Sequence, residues 1–161
     1  MPLYTVSYKT PLSEDQRDAL AAAITKTHST LFTTPTLFVN VHFEDVTTGH
    51  ESKRYVAGKR KTSNNIVAQV RPGPSRPRSS YDELCNAIND EWNRIVPEEK
   101  LDAVFVMSSI VAGWEQGLSL PEAGKDKEWI KENMKEFERR ADAGDEAMMD
   151  MVEEIKKRKL N

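Results

Sequence analysis

Hydrophobic positions along the chain change from the period of a strand to the period of a helix and back again. The aromatic and β-branched stretch Leu3–Tyr8 predicts a strand. Apolar positions then recur at helical spacing through Leu31, and Thr33-Thr34-Pro35 ends this pattern. From Leu37 to Phe43 every second residue is apolar, which predicts a second, half-buried strand. The first third of the chain therefore predicts a strand–helix–strand unit.

The same succession returns about 65 residues later. Ile66–Val70 alternates as a strand, an apolar helical stripe runs from Leu84 to Ile95, and Val104–Met107 is another short apolar strand. A duplicated β-α-β unit predicts an α+β fold with one four-stranded sheet and two helices packed on one face. The uncovered face predicts an oligomer.

Each predicted helix begins with a sequence typical of a capping box. Ser13 is followed three residues later by Gln16, and Ser80 by Glu83. Pro97 ends the second helix.

Beyond Pro121 the chain is mostly charged and predicts two further amphipathic helices. Gly144 ends the first and Asp145 caps the second. Their predicted inward positions are Ile130, Met134, Phe137 and Ala141, then Met148, Met151, Val152 and Ile155. We therefore divide the chain into a duplicated β-α-β domain over residues 1–121 and a C-terminal helical extension over residues 122–161.

Composition narrows the class of protein. A chain of 161 residues with 38% hydrophobic content suits one modest core. Its one cysteine, Cys85, excludes an intrachain disulfide and is expected to be a small core residue in a reducing compartment. No apolar run is long enough for a signal peptide or a membrane span. We expect a cytoplasmic protein that does not enter a membrane.

Positive charge is concentrated in one segment. Residues 52–81 contain eight basic side chains and no acidic one, against a net charge of −3 for the chain, so the remainder carries about −11. Such a field attracts anions. The aromatic interleaving typical of nucleic-acid binding is missing and the whole chain is acidic, which favours a small carboxylate over a nucleic acid. The three histidines have no second ligand at metal spacing, so we expect no metal and no cofactor.

The residue after the initiator methionine is Pro2. A small second residue generally permits removal of Met1, which would leave a free secondary amine with a pKa in the α-amino range of roughly 7.7–8. Such an amine can act as a base or an acid near neutral pH, whereas an internal proline nitrogen cannot.

An N-terminal proline followed by two β-α-β units resembles the tautomerase superfamily (tautomerase/MIF-like fold), and most closely its cis-3-chloroacrylic acid dehalogenase-like subgroup. The resemblance runs from Pro2 to about residue 128. Besides Pro2 it rests on Ala22–His28, on Arg71 after the third strand, on Arg78-Ser79, and on the glutamate–x–glycine–x–x–leucine pattern within Trp114–Pro121.

The resemblance implies a homotrimer and a role for each matched position. Pro2 would transfer a proton at a carbon beside a carbonyl or carboxylate. Arg71 and Arg78 would bind the substrate carboxylate, Glu115 would activate water or assist proton transfer, and His28 would hydrogen-bond the substrate. No role is implied for His42 or His50.

Two departures from the subgroup change the expected chemistry. The tyrosine that helps its dehalogenases activate water is missing, and its position falls on Met107, whose thioether cannot do so. The arginine loop is also about three residues longer, so Arg76 could replace Arg78 as the second carboxylate ligand.

The sequence thus predicts a proline-dependent tautomerase or isomerase for small 2-oxo or α,β-unsaturated carboxylic acids, with hydratase, dehalogenase or decarboxylase side activity. The missing tyrosine argues against hydrolytic dehalogenation. The alternative is a catalytically silent trimer that binds a ligand or protein through its C-terminal helices.

Overall fold

The computed structural model of the chain describes residues 1–46 and 55–161. Its first unit consists of strand β1 (Leu3–Tyr8), helix α1 (Glu14–Phe32) and strand β2 (Asn40–Asp45). The predicted capping box is confirmed, since the Ser13 side chain accepts from the Gln16 N–H and the Gln16 side chain accepts from the Ser13 N–H. One 3₁₀ turn, Thr36–Phe38, precedes β2, so the second strand begins later than its alternation predicts.

The second unit consists of strand β5 (Asn65–Val70), helix α2 (Arg78–Ile95) and strand β6 (Ala103–Ser108). The capping box predicted from Ser80 and Glu83 is wrong. The N-cap is Pro77, three residues before Ser80, and the helix has no side-chain cap at its start. Proline has its φ fixed at −67° here, and its carbonyl accepts from the Ser80 N–H. The fixed backbone of Pro77 therefore sets the entry to the helix.

The four long strands form one mixed sheet in the order β2-β1-β5-β6. Strands β1 and β2 are parallel, as are β5 and β6, while β1 and β5 are antiparallel in the centre. Because Leu3 pairs with Gln69, the start of β1 lies beside the end of β5. This register brings the N-terminus next to Arg71.

Helices α1 and α2 cover one face of the sheet, as the duplicated pattern predicts. The core beneath them contains alternate strand residues and helix stripes, including Tyr4, Val6, Ile24, Ile66, Ala68, Leu84, Ile88 and Trp92. The opposite face carries Leu3, Phe105 and Met107, all of which are exposed.

Two short hairpins project from this frame. Strands β3 (Tyr55–Val56) and β4 (Lys59–Arg60) form the first, and β7 (Trp114–Glu115) and β8 (Leu118–Ser119) form the second. The turn of the second hairpin has positive φ at Gln116 and Gly117, a conformation that glycine adopts at little cost. Of the predicted basic segment, Lys53 and Arg54 lie outside the described residues, as does His50.

The chain ends with helices α3 (Asp126–Asp142) and α4 (Glu146–Arg158). The Asp145 side chain accepts from the Met148 N–H, so the predicted cap is confirmed. These helices form a second hydrophobic cluster with the chain terminus, and its buried members are Met1, Phe38, Ile130, Phe137, Met148, Met151, Val152, Ile155 and Leu160. The extension therefore packs on the N-terminus and does not project away from the domain.

Candidate active site

The start of β1, the start of β2 and the end of β5 meet at one edge of the sheet. The backbone N–H of Asn40 donates to the Pro2 carbonyl at 3.2 Å, which continues the β1–β2 pairing as far as the N-terminus. Arg71 directly follows β5 at the same edge. The topology therefore places two of the predicted site residues, Pro2 and Arg71, in one region.

Arg71 is buried there with only 4% of its surface exposed. Its Nη1 donates to the carbonyls of Pro121 (2.5 Å) and Glu122 (3.2 Å), and its Nη2 donates to Asp126 Oδ1 at 2.6 Å. Its Nε is buried without a hydrogen-bond partner in the described part of the chain. Arg71 can therefore give a bound anion one hydrogen bond without breaking an existing one.

Arg76 lies beside Arg71 and is 8% exposed. Its guanidinium stacks over the Phe32 ring, 4.5 Å from the centroid, and its Nη2 lies 3.9 Å from Asp126 Oδ2. Burial, followed by the charge of Arg71, lowers the pKa of Arg76, while Asp126 and a hydrogen bond with Tyr81 oppose this shift. Within residues 1–46 and 55–161, neither Arg76 Nη2 nor Asp126 Oδ2 has a hydrogen-bond partner.

Arg78 is placed differently from the two buried arginines. It is the first residue of α2, its side chain is 92% exposed, and its Nε lies 3.7 Å from Asp82 one turn along the same helix. Arg71 and Arg76 are thus brought together by Asp126, and Arg78 is not part of that group.

His28 reaches the same region from α1 and is fully buried. Its Nδ1 lies 2.8 Å from the Tyr4 hydroxyl, while its Nε2 has no partner among the described residues. Burial, then the charges of Arg76, the N-terminus and Arg71, lower the pKa of His28 from 6.5 to about 2. The ring is therefore neutral. If the tyrosine hydroxyl donates to Nδ1, Nε2 carries the proton and is a further free donor.

Glu115 approaches from the β7–β8 hairpin. Its Oε1 accepts from Asn40 Nδ2 at 2.9 Å, and Asn40 is the residue whose N–H bonds to Pro2. Arg140 holds the hairpin in turn, because its Nη1 donates to the Gln116 carbonyl at 2.5 Å. The carboxylate of Glu115 is thereby fixed close to the N-terminus.

The free amine of the described chain belongs to Met1, and its pKa is lowered from 8.0 to about 5. Burial is the largest cause and the charge of Arg71 the next, with Arg76 adding to both. Asp126 and Glu115 oppose the shift. An amine at this position is therefore neutral at pH 7 and able to accept a proton.

A cavity of about 480 Å³ opens beside Arg71. Its walls are the backbone after β5, the loop after β6 and the chain from Ser119 to Ala123. Of the buried donors, Arg71 lines this cavity, whereas Arg76 and His28 do not. Among the described residues, no group of three histidine, cysteine or acidic side chains could hold a metal ion.

The family of the chain follows from comparison with known proteins. A family model described as "Putative oxalocrotonate tautomerase enzyme" matches residues 1–134. The chain belongs to this tautomerase family. The match confirms the predicted superfamily and extends beyond the β-α-β units into α3.

Several solved structures share the fold of this chain. Native Ps01740 is 28% identical, with 65% of this chain and 91% of that one covered and a TM-score of 0.55. N1, a member of the cis-3-chloroacrylic acid dehalogenase family, is 24% identical over 80% and 90% of the two chains, with a TM-score of 0.62. A probable enzyme from Aspergillus fumigatus is 22% identical over 83% and 94%, with a TM-score of 0.58. The search of the curated proteins found no match to this chain.

None of the helices among residues 1–46 and 55–161 has the length and apolar character of a membrane span.

Three residues of the site were not predicted from the amino-acid sequence. Asp126 and Asn40 are polar residues of ordinary type at the starts of α3 and β2, and nothing nearby in the sequence distinguishes them. Tyr4 faces the core in the alternation of β1, which could have indicated a partner for its hydroxyl. Each acquires its contact only through the tertiary fold.

Proposed function

We propose that this tautomerase uses the nitrogen of Pro2, exposed by removal of Met1, to transfer protons on small 2-oxo or α,β-unsaturated carboxylic acids. The observation that carries the proposal is a group of buried, unpartnered polar atoms around the N-terminus: Arg71 Nε, Arg76 Nη2 and His28 Nε2. Buried donors without partners are costly unless a ligand satisfies them. A carboxylate or enolate oxygen is the ligand that such donors fit.

The environment of the amine favours a base. Burial and the charge of Arg71 lower the pKa of the Met1 amine. The Pro2 nitrogen belongs to the next residue, so we expect the same two causes to lower its pKa once Met1 is removed. The neutral nitrogen takes the proton from C3 of the 2-oxo acid, and the electrons of the C3–H bond form the C2=C3 double bond. Charge develops on the C2 oxygen, where the arginine donors stabilise it. Transfer of the proton from the Pro2 ammonium to the C2 oxygen completes the enol. In ketonisation the nitrogen takes the enol proton and delivers a proton to C3.

We assign the second carboxylate contact to Arg76 instead of Arg78. Arg76 is buried beside Arg71 with a free donor, whereas Arg78 is exposed and paired within its own helix. His28 would add a hydrogen bond from Nε2. The neutral histidine contributes a donor without adding charge.

Glu115 serves as an auxiliary to Pro2 in this proposal. Its carboxylate raises the pKa of the N-terminal amine, opposing Arg71, and it is oriented by Asn40. Met107 of β6 pairs with Gln69 of β5, and its side chain is exposed. Because this side chain is a thioether, it supplies no hydroxyl to activate water. We therefore propose tautomerisation as the main reaction, with hydration or decarboxylation as side activities.

A homotrimer would cover the face of the sheet that α1 and α2 leave open. Leu3, Phe105 and Met107 are exposed on that face. Fused 4-OT proteins of the same fold form trimers, in an asymmetric example 12% identical and a symmetric one 18% identical to this chain.

The deciding experiment is ketonisation of phenylenolpyruvate, followed by ultraviolet absorbance. Intact mass first establishes that Met1 is absent. The protein is then compared with Pro2→Ala, whose small second residue also permits removal of Met1 but leaves a primary amine. We expect turnover by the first protein and its collapse in the variant. Equal rates in both would remove Pro2 from the reaction.

One observation favours the second candidate, a catalytically silent ligand-binding protein. Met1 is only 5% exposed and packs into the second hydrophobic cluster. If intact mass shows Met1 retained in the protein from its native host, the Pro2 nitrogen is an amide and cannot act as a base. That result, together with the absence of turnover by the protein that retains Met1, would establish the silent form.

A further inference from the structure

Met1 connects two environments of opposite character. Its amine lies in the field of Arg71, Arg76, Asp126 and Glu115. Its side chain belongs to a buried cluster whose members are all apolar. Met1 thus extends from a set of carboxylate-binding donors to a hydrophobic interior.

The hydrophobic environment is built by the C-terminal helices and the 3₁₀ turn. Phe38 comes from the turn, and the remaining buried members come from α3, α4 and the residue Leu160 that follows them. The parallel register pairs Leu3 with Asn40, and Met1 and Phe38, which precede these two residues, belong to the same cluster. Residues 122–161 therefore supply most of the buried side chains of the cluster to which Met1 belongs, and we call this part of the cluster the wall.

The extension is held firmly against the domain. Arg158 Nη2 donates to the Ser29 carbonyl at 2.9 Å, and its Nη1 donates to Ser29 Oγ at 2.5 Å. Glu154 accepts from the Thr36 N–H at 3.0 Å and from its hydroxyl at 2.6 Å. Because both ends of these contacts belong to one chain, the wall is present in every subunit.

We infer that, once Met1 is removed, the space of its side chain is a substrate subsite for an unbranched apolar substituent. The inference rests on the proposed function and specifies its substrate class as 2-oxo or α,β-unsaturated monocarboxylic acids with a linear alkyl or thioether chain. The carboxylate binds the free donors of Arg71, Arg76 and His28. The chain extends into the cluster, along the direction that Met1 itself takes.

Charge at the site favours one carboxylate in the substrate over two. Asp126 already neutralises part of the positive charge of Arg71 and Arg76. The side chains that Met1 joins in its cluster are apolar, so a second carboxylate placed among them would lose its hydration. The subsite therefore selects against dicarboxylic acids.

A binding series tests the subsite without requiring turnover. The Met1-free protein is titrated calorimetrically with unbranched saturated acids from acetate to octanoate, and with glutarate. We expect affinity to rise roughly threefold to fourfold for each added methylene until the space is filled, then to level off. Glutarate should bind more weakly than pentanoate. Equal affinity for acetate, butyrate and hexanoate would overturn the inference.

The matched control retains Met1. Pro2→Leu has a large second residue, so the methionine remains and its side chain fills the subsite. Intact mass verifies this, and we expect no gain with chain length in this protein. The same gradient in both proteins would place the apolar contact elsewhere and overturn the inference.

A variant pair tests the wall. Phe38→Leu should change the chain length at which affinity levels off, whereas Phe43→Leu, the same change in the β-α-β core, should leave it unaltered. Unfolding curves verify that both proteins are folded. An identical profile in all three proteins would remove Phe38 from the subsite.

Turnover separates this inference from the proposed function. In D₂O, exchange of the C3 protons of pyruvate and of longer 2-oxo acids is followed by NMR. Graded binding without exchange would support the subsite and contradict the proposed reaction. Exchange of pyruvate without any gain for longer acids in either assay would support the reaction and contradict the subsite.

Discussion

Arg71 and Asp126 form a buried ion pair, with Nη2 of the arginine 2.6 Å from Oδ1 of the aspartate. The arginine follows the last residue of β5 and the aspartate is the first residue of α3. This contact ties the C-terminal extension to the carboxylate-binding group, and it occupies donors that a substrate would otherwise use. The ion pair therefore affects both stability and affinity.

Replacing Asp126 by asparagine should separate these two effects. The amide oxygen can still accept from Arg71, but the negative charge is lost, so we expect the free energy of unfolding to fall by about 1–3 kcal/mol. With less competition, carboxylate affinity should rise roughly tenfold. Urea unfolding and calorimetry with butyrate measure the two. Glu128→Gln, which removes an exposed carboxylate of the same helix, is the control. Weaker binding by Asp126→Asn would contradict our assignment of Arg71 and Arg76 as the carboxylate ligands.

The two arginines of the α2 entry provide a matched pair. Arg76→Met removes a buried free donor, so we expect KM for a 2-oxo acid to rise and kcat/KM to fall about 100-fold. Arg78→Met removes an exposed charge paired only within its helix, and kcat/KM should change less than about threefold. Steady-state kinetics on both proteins decide the assignment. The reverse ranking would restore Arg78 as the second ligand.

The lowered pKa at the N-terminus predicts an unusual dependence of stability on pH. In protein that retains Met1, the amine titrates near 8.0 when unfolded and near 5 when folded. The unfolded state thus binds more protons in this interval, and stability must rise with pH. His28, with a folded pKa of about 2, contributes in the same direction only below its ordinary value of 6.5.

The interval from pH 6.5 to 8 therefore reports mainly the amine. We expect the free energy of unfolding of Pro2→Leu to increase there by about 1.5–2 kcal/mol, measured by urea titration at each pH. The same protein with an acetylated N-terminus is the control and should lose this slope. A slope that survives acetylation would show that another group is responsible.

Tyr4 is predicted to position His28 without touching the substrate. Its hydroxyl lies 2.8 Å from Nδ1, and loss of this bond in Tyr4→Phe frees the ring to place its proton on either nitrogen. We expect stability to fall by about 1–2 kcal/mol and kcat/KM to fall roughly tenfold. Histidine NMR would report the change in tautomer. Unaltered nitrogen shifts together with reduced activity would contradict the positioning role.

How much the sequence predicts depends on whether a feature is local. The duplicated strand–helix–strand pattern predicts the sheet and its covering helices because periodicity reflects which side faces the core. The Ser80 capping box fails because Pro77 fixes the backbone three residues upstream. Asp126 escapes prediction because its contact with Arg71 spans 55 residues. Arg76 and Arg78 cannot be separated from sequence, since their burial depends on where α2 begins.

The attachment of α4 supplies a final prediction, which links the extension to the apolar subsite. Arg158 bonds to Ser29 and Thr34 and pairs with Glu154, so Arg158→Met should lower the free energy of unfolding by about 2–3 kcal/mol. Arg139→Met, which breaks an exposed pair with Glu136, should leave the free energy of unfolding almost unchanged. Because α4 forms part of the wall, loosening it should also flatten the dependence of affinity on chain length while acetate binding is retained. If Arg158→Met keeps the full gradient despite its lost stability, the wall does not depend on the docking of α4.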